Sequence, residues 1–251
     1  MKDKNIQKLT KPYALSANSI KTKNEFGEAN AIFSLIYNRF KQVMDIKWDS
    51  KKLKNFRKLI LEIIRSAPKD QTGNRKLWDG DITLLEGFQL NPKATADNLF
   101  RKTISITADP REGINIKITP FKYKTAFEKA HPKTSTAEVR LYIFSFDIVH
   151  RKSSGGSVIL LDQPHGKDVN KDIEMNASLK DNRLTLIIRK VSFKSGAGHT
   201  AILDRQYIGA TLTNAIYIKN GELVHFIPEQ REEPVKKAEA KVGEWEDLGE
   251  F

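Results

Sequence analysis

From about residue 100 onward, apolar residues recur at every second position, and no helical period interrupts them. Successive strand side chains point to opposite faces, so this pattern describes β-strands with at least one side against a core. Ile104 and Ile106 alternate with Thr103, Ser105 and Thr107, and Ile114, Ile116 and Ile118 alternate with Asn115, Lys117 and Thr119. Val139, Leu141 and Ile143 open a long strand that also carries Tyr142, Phe144 and Phe146. Val158, Ile159, Leu160 and Leu161 form a short apolar run. Ile173, Met175, Ala177 and Leu179, then Leu184, Leu186 and Ile188, continue the period. Val191 and Phe193 fall out of phase with that set by one residue, which predicts a β-bulge. Asn220-Gly221, between Tyr217-Ile218 and Leu223-Val224, predicts a tight hairpin, because both turn residues tolerate positive φ.

About seven such strands in roughly 120 residues, with no helical crossovers, predict an antiparallel immunoglobulin-like β-sandwich over residues 99–228. That expectation rests on strand count. The chain has no cysteine, so the Cys-Trp-Cys pattern of antibody domains is missing. The same lack excludes disulfides, thiolate metal sites and cysteine nucleophiles.

The N-terminal third has a different period. Ile32, Phe33, Leu35, Ile36, Phe40, Val43 and Met44 recur at spacings of three and four, which predicts a helix within residues 28–46. Leu53, Phe56, Leu59, Ile60, Ile63 and Ile64 predict a second helix over 51–66, capped by Asp49 or Ser50 and ended before Pro68. The short join around Lys47-Trp48-Asp49 predicts an antiparallel helical hairpin. A connector carrying Leu77, Trp78, Leu84, Leu85 and Phe88 should pack between these helices and the strands. The expected class is therefore α+β, mainly β. Residues 1–27 are read as a basic arm, 28–98 as the helical module and connector, and 229–251 as a charged tail.

Charge sharpens this division. The 251 residues contain 43 Lys and Arg against 31 Asp and Glu. Residues 1–76 hold 18 of the cations and 7 of the acids, and residues 229–251 hold 4 cations and 8 acids. The second predicted helix concentrates Lys51, Lys52, Lys54, Arg57, Lys58 and Arg65, with Arg75 and Lys76 beyond it. Lys51, Lys54, Arg57, Lys58, Arg65, Arg75 and Lys76 are the candidate contacts to nucleic acid or another polyanion, since Lys and Arg bind phosphates without reading sequence. A solvated lysine-rich face accounts for the pattern equally well. Trp245, Leu248 and Phe251 in the acidic tail are candidate docking residues on a neighbour, against the simpler reading that they fold back on their own chain.

Catalytic patterns are weak. No His-Glu-x-x-His, Gly-x-Ser-x-Gly or phosphate-loop motif occurs. Asp162, His165 and Asp168 share one loop and could collect a metal, but a polar hairpin loop is the better reading. Asp79-Gly80-Asp81 is better read as a capped turn beside Trp78. Phe121, Tyr123 and Phe127 beside Lys122 and Lys124 resemble a base-stacking strand, although inward aromatics and outward lysines explain them as well. No metal or cofactor is expected.

No segment has the apolar run of an export signal or a membrane span. The chain is read as made in the cytoplasm without Sec-dependent export. Together these features point to a non-enzymatic structural or interaction protein. It would be a component of a virion or another large particle assembled inside the cell, with other protein subunits as partners. A nucleic-acid-binding accessory protein using the helix at 51–66 is the second reading. A carbohydrate-binding or hydrolytic β-sandwich protein is the third.

Overall fold

The computed structural model describes residues 15–44, 48–196 and 200–226. The chain is α+β, mainly β, with an N-terminal helical region followed by antiparallel sheets. Two helices lead, α1 (Ala17–Met44) and α2 (Ser50–Ser66). The first begins inside the segment read as an arm, because Ser16 accepts the backbone N–H of Ser19 at 3.2 Å and so starts the helix early. Asp49 caps α2 as expected, its carboxylate accepting the Lys52 N–H at 2.7 Å. The helices run antiparallel, pairing Glu25 with Arg65 near one end and Phe40 with Trp48 near the other.

The connector folds into short 3-10 turns at Leu77–Asp79 and Ile82–Leu85. It packs between α2 and the strands, as its apolar residues predict. Asp79 and Asp81 each accept a backbone N–H, from Lys76 and Thr83, so both serve turns. A four-residue helix, α3 (Ala96–Leu99), ends this region.

The strands are β1 (Ile104–Asp109), β2 (Gly113–Ile118), β3 (Thr134–Asp147), β4 (Lys152–Pro164), β5 (Ile173–Ala177), β6 (Arg183–Ser195), β7 (Thr200–Ala201), β8 (Gly209–Lys219) and β9 (Glu222–Leu223). One sheet has the order β1-β2-β5, and the other β4-β3-β6-β8-β9, with β7 beside β6. A short helix, α4 (Tyr123–Ala126), carries the chain from one sheet to the other. Around Phe121 the chain forms a turn of helix rather than a strand, and it fits the reading of inward aromatics and outward lysines, since Lys122 and Lys124 are exposed. Phe121, Tyr123 and Phe127 all point into the core and offer no stacking surface.

Three layers result. Leu184, Leu186 and Ile188 of β6, with Tyr142, Phe144 and Phe146 of β3, pack against Ile32, Phe40 and Phe56 of the helices. Alternate residues on the same strands face the smaller sheet. Leu141, Ile143 and Ile187 meet Ile114 and Ile116, while Val139, Val191 and Phe193 meet Phe100, Ile118 and Phe127. The phase change between Ile188 and Val191 is therefore no bulge in β6, which pairs with β3 in unbroken register from Leu184 to Lys194. It marks the point where helical cover ends on one face while the sheet-facing side stays apolar. The bulge lies on β8, where Ile187 pairs with Asn214 and Ile188 with Leu212. The β8–β9 turn is as predicted: Lys219 pairs with Glu222, and Asn220 and Gly221 have φ of 54° and 80°.

Candidate functional site

The helical hairpin presents cations on α2, and three of the predicted set pair with acids of α1, one of them, Arg75, in a buried position. Arg75 is buried. Its Nε donates to the Pro68 carbonyl at 3.0 Å and its Nη2 to Thr72 Oγ1 at 2.9 Å, while Nη1 sits 3.6 Å from Glu25. Arg65 pairs with the same carboxylate at 3.7 Å, and Lys76 with Glu28 at 3.5 Å. These three residues tie the end of α2 and the chain after it to α1, but only Arg75 leaves the surface, while the Arg65 and Lys76 side chains stay 48% and 42% exposed. Two acids on α1, Glu25 and Glu28, are the reason, and helix periodicity does not announce them as partners.

The other four remain on the surface of α2. Arg57 lies over the Phe33 ring, 4.6 Å from its centre, and Lys58 pairs with Glu62 at 3.4 Å. Lys51 and Lys54 are exposed and have no ion-pair partner among the described residues. Lys52 leans inward and donates to the Gln89 carbonyl at 2.6 Å. Burial pushes its pKa down against the raising effect of Asp49. Trp245, Leu248 and Phe251 lie outside the described residues.

Of the loop at 162–168, Asp168 caps α4 by accepting the Tyr123 N–H at 2.8 Å, and the His165 ring meets Tyr123 edge-on at 5.0 Å. Both are thereby engaged in holding the loop.

Two features that the motif search missed are more distinctive. The first is the free edge of β4. Strand β8 at the far side of the larger sheet is covered. The Gly87 and Leu90 N–H groups donate to the Leu212 and Ala210 carbonyls, Leu212 donates to Phe88, and β9 takes the strand end. Among the described residues no strand pairs with the outer edge of β4. It runs for 13 residues and reads Ser-Ser-Gly-Gly-Ser-Val-Ile-Leu-Leu between Lys152 and Asp162, without a charge. Val158 is 49% exposed and Leu160 47%. Ile159 and Leu161 turn the other way, towards the smaller sheet. A bulge opposite Phe144 and Ser145 twists the first half of β4, leaving the apolar half regular.

The second feature is a pair of clefts on opposite faces of β3 and β6. One, of about 420 Å³, opens beyond the helical cover. Its floor is Glu138, whose side chain is only 5% exposed. Arg140 donates to both of its oxygens at 2.9 and 3.0 Å, Lys194 reaches it at 2.5 Å, and Ser192 Oγ donates at 3.3 Å. Burial pushes the Glu138 carboxyl up, but Lys194 and Arg140 outweigh it and hold the group below its ordinary range. A carboxylate lowered in this way stabilises the fold above about pH 4.3, its unfolded value, and the gain is lost as pH falls through the folded value. Glu138→Gln should therefore be less stable at neutral pH and lose less stability than the parent on acidification. Urea midpoints between pH 3 and 7 check this, and parallel curves for the two proteins would contradict it. The other cleft, of about 460 Å³, lies between the sheets around Arg189.

No family model, curated protein or solved structure matches this chain.

Proposed function

We propose that this chain is a non-enzymatic interaction protein that self-associates through the free edge of β4 as a component of a larger particle. The observation that carries the reading is the uncharged, half-exposed segment Val158–Leu161 on the longest unpaired strand edge among the described residues. An open edge presents a row of backbone donors and acceptors that another strand satisfies, and soluble proteins normally guard such an edge with charges. Here the charges stand only at the ends. An antiparallel second copy sets Lys152 at the basic end of one strand towards Asp162 at the acidic end of the other. It meets no like charge between them, and both partners use the same patch.

Strand distribution supports the immunoglobulin-class reading of the β part. Lettered in chain order, β1, β2 and β5 take the places A, B and E, and β4, β3, β6 and β8 the places C′, C, F and G. The helical layer is an addition to that plan, covering the face of the C′CFG sheet.

The nucleic-acid reading keeps Lys51, Lys54, Arg57 and Lys58, shares Arg65 and Lys76 with the acids of α1, and loses the buried Arg75. The carbohydrate reading needs a cleft lined with acids and exposed aromatics, whereas the clefts at Glu138 and Arg189 each have one acid and no exposed aromatic.

Light scattering across a concentration series, with and without nuclease, decides. The expected result is a nuclease-insensitive dimer that Leu160→Lys converts to monomer without loss of folding, because that side chain is already half in water. A parent that stays monomeric, or a mutant that dimerises equally well, removes β4 from the argument. A mass that drops on nuclease treatment makes nucleic acid the partner.

A further inference from the structure

The cleft between the sheets is unusual for what lies in it. The smaller sheet ends at β1 while the larger continues to β8, and the gap left between them is lined by Ile104, Ile106 and Leu141 beside the polar Thr103, Thr213 and Asn214. On β6 the sheet-facing positions on either side, Ile187 and Val191, are fully buried and apolar. The position between them is Arg189, with a side chain only 7% exposed. Burying a guanidinium costs several kcal/mol unless close partners offset it.

Its partners are few. Nη1 donates to the Lys102 carbonyl at 3.4 Å, a long bond. Nη2 pairs with Asp97 on α3, whose side chain is 64% exposed. Nε is buried and has no hydrogen-bond partner among the described residues. Nε and Nη2 are the two N–H groups on one side of the guanidinium, and together they form the fork that a carboxylate fills side-on. One prong is empty, and the other is held by a carboxylate standing largely in water at the mouth of the cleft.

We propose that the cleft binds a small carboxylate with a short apolar chain. The ligand's two oxygens take Nε and Nη2 of Arg189, its chain lies on Ile104, Ile106 and Leu141, and Asp97 is the internal carboxylate that it displaces. Lys102, whose side chain has no ion-pair partner among the described residues, adds positive charge at the rim. The fork alone would take a carboxylate or a phosphate; the apolar side chains Ile104, Ile106 and Leu141 beside it favour a carboxylate that carries a hydrocarbon chain over inorganic phosphate.

The test follows the Arg189 Nε–H resonance by NMR in the full-length 15N-labelled protein, with hexanoate, hexanol and inorganic phosphate as probes. Hexanoate should shift that resonance together with the backbone amides of Ile104 and Thr213, and hexanol should leave the Nε–H in place. Asp97→Asn should bind hexanoate about threefold more tightly or better, since removing an internal competitor raises the competent fraction. An Arg189 resonance unmoved by hexanoate would overturn the proposal. So would equal shifts with phosphate, or weaker binding in Asp97→Asn, which would make Asp97 a structural partner. Leu160→Lys should bind hexanoate as the parent does, so failure of this site and failure of the β4 interface are read separately.

Discussion

Phe144→Ala should cost about 3–5 kcal/mol of unfolding free energy, the range for truncating a buried aromatic in a core that cannot collapse around the space. Phe144 is 1% exposed and sits where the helical layer meets the larger sheet. Its ring lies 5.1 Å from Phe40 of α1, 6.0 Å from Tyr142 and 6.2 Å from Phe146. Phe40 in turn touches Phe56 of α2 and Trp48. Removing the Phe144 ring therefore takes contacts from both layers at once. Neither side closes the space easily, since β3 is fixed by β4 and β6, and α1 is fixed by α2. Urea denaturation should show a lower midpoint at unchanged slope. Val158→Ala, on the same face but half exposed, should stay within about 0.5 kcal/mol of the parent. A Phe144→Ala cost below about 1 kcal/mol would mean that the helical layer is not anchored there.

Much of this layer arrangement is legible in the alternation of the strands, and the part that is not has a common cause. Period two identifies β1, β2, β3, β5 and β6, and Asn220-Gly221 identifies the last hairpin, because these signals are local. The apparent slip between Ile188 and Val191 is a different matter. A strand buried on both faces has apolar residues in both phases, and which phase prevails changes where a covering layer stops. Only the position of the helices tells that apart from a bulge. In the same way, Val158–Leu161 reads as a short apolar run, and it belongs to a 13-residue edge strand in which Val158 and Leu160 are half exposed. The sheet order that makes it an edge is a long-range fact.

The sites follow the same rule. The cationic stripe of α2 is visible in its sequence, because one helix face is a local pattern. That Arg75 is buried is not visible, since its carboxylate partner lies 50 positions earlier on α1. Arg189 occupies a strand position that alternation marks as inward, next to Val191. A charged residue at an inward position was the one available hint of the cleft, and its partner Asp97 is far away in the chain.

Glu25→Ala should be about as costly as Phe144→Ala, by an electrostatic route. The Glu25 side chain is 4% exposed, and its Oε1 accepts the Gly73 N–H at 3.0 Å while facing Arg75 and Arg65. Gly73 has φ of 96°, and a Cβ there would press into Lys21 at 2.7 Å, so the loop lies tightly on α1 at this point. Removing the carboxylate leaves the Arg75 guanidinium buried without a counter-charge and orphans a backbone N–H, a situation that costs about 3–5 kcal/mol. The contribution of the pair itself is much smaller, because desolvation offsets most of its attraction. The double change Glu25→Leu with Arg75→Met should therefore recover most of what Glu25→Ala loses, although it deletes the same ion pair. Urea midpoints of the parent, Glu25→Ala and the double variant separate the two effects. If the double variant were as unstable as Glu25→Ala, the ion pair itself would be supplying the stability. If Glu25→Ala cost below about 1 kcal/mol, Arg75 would have to find water or another acceptor where the structure buries it. In that case Arg75 would return to the set of cations open to a partner.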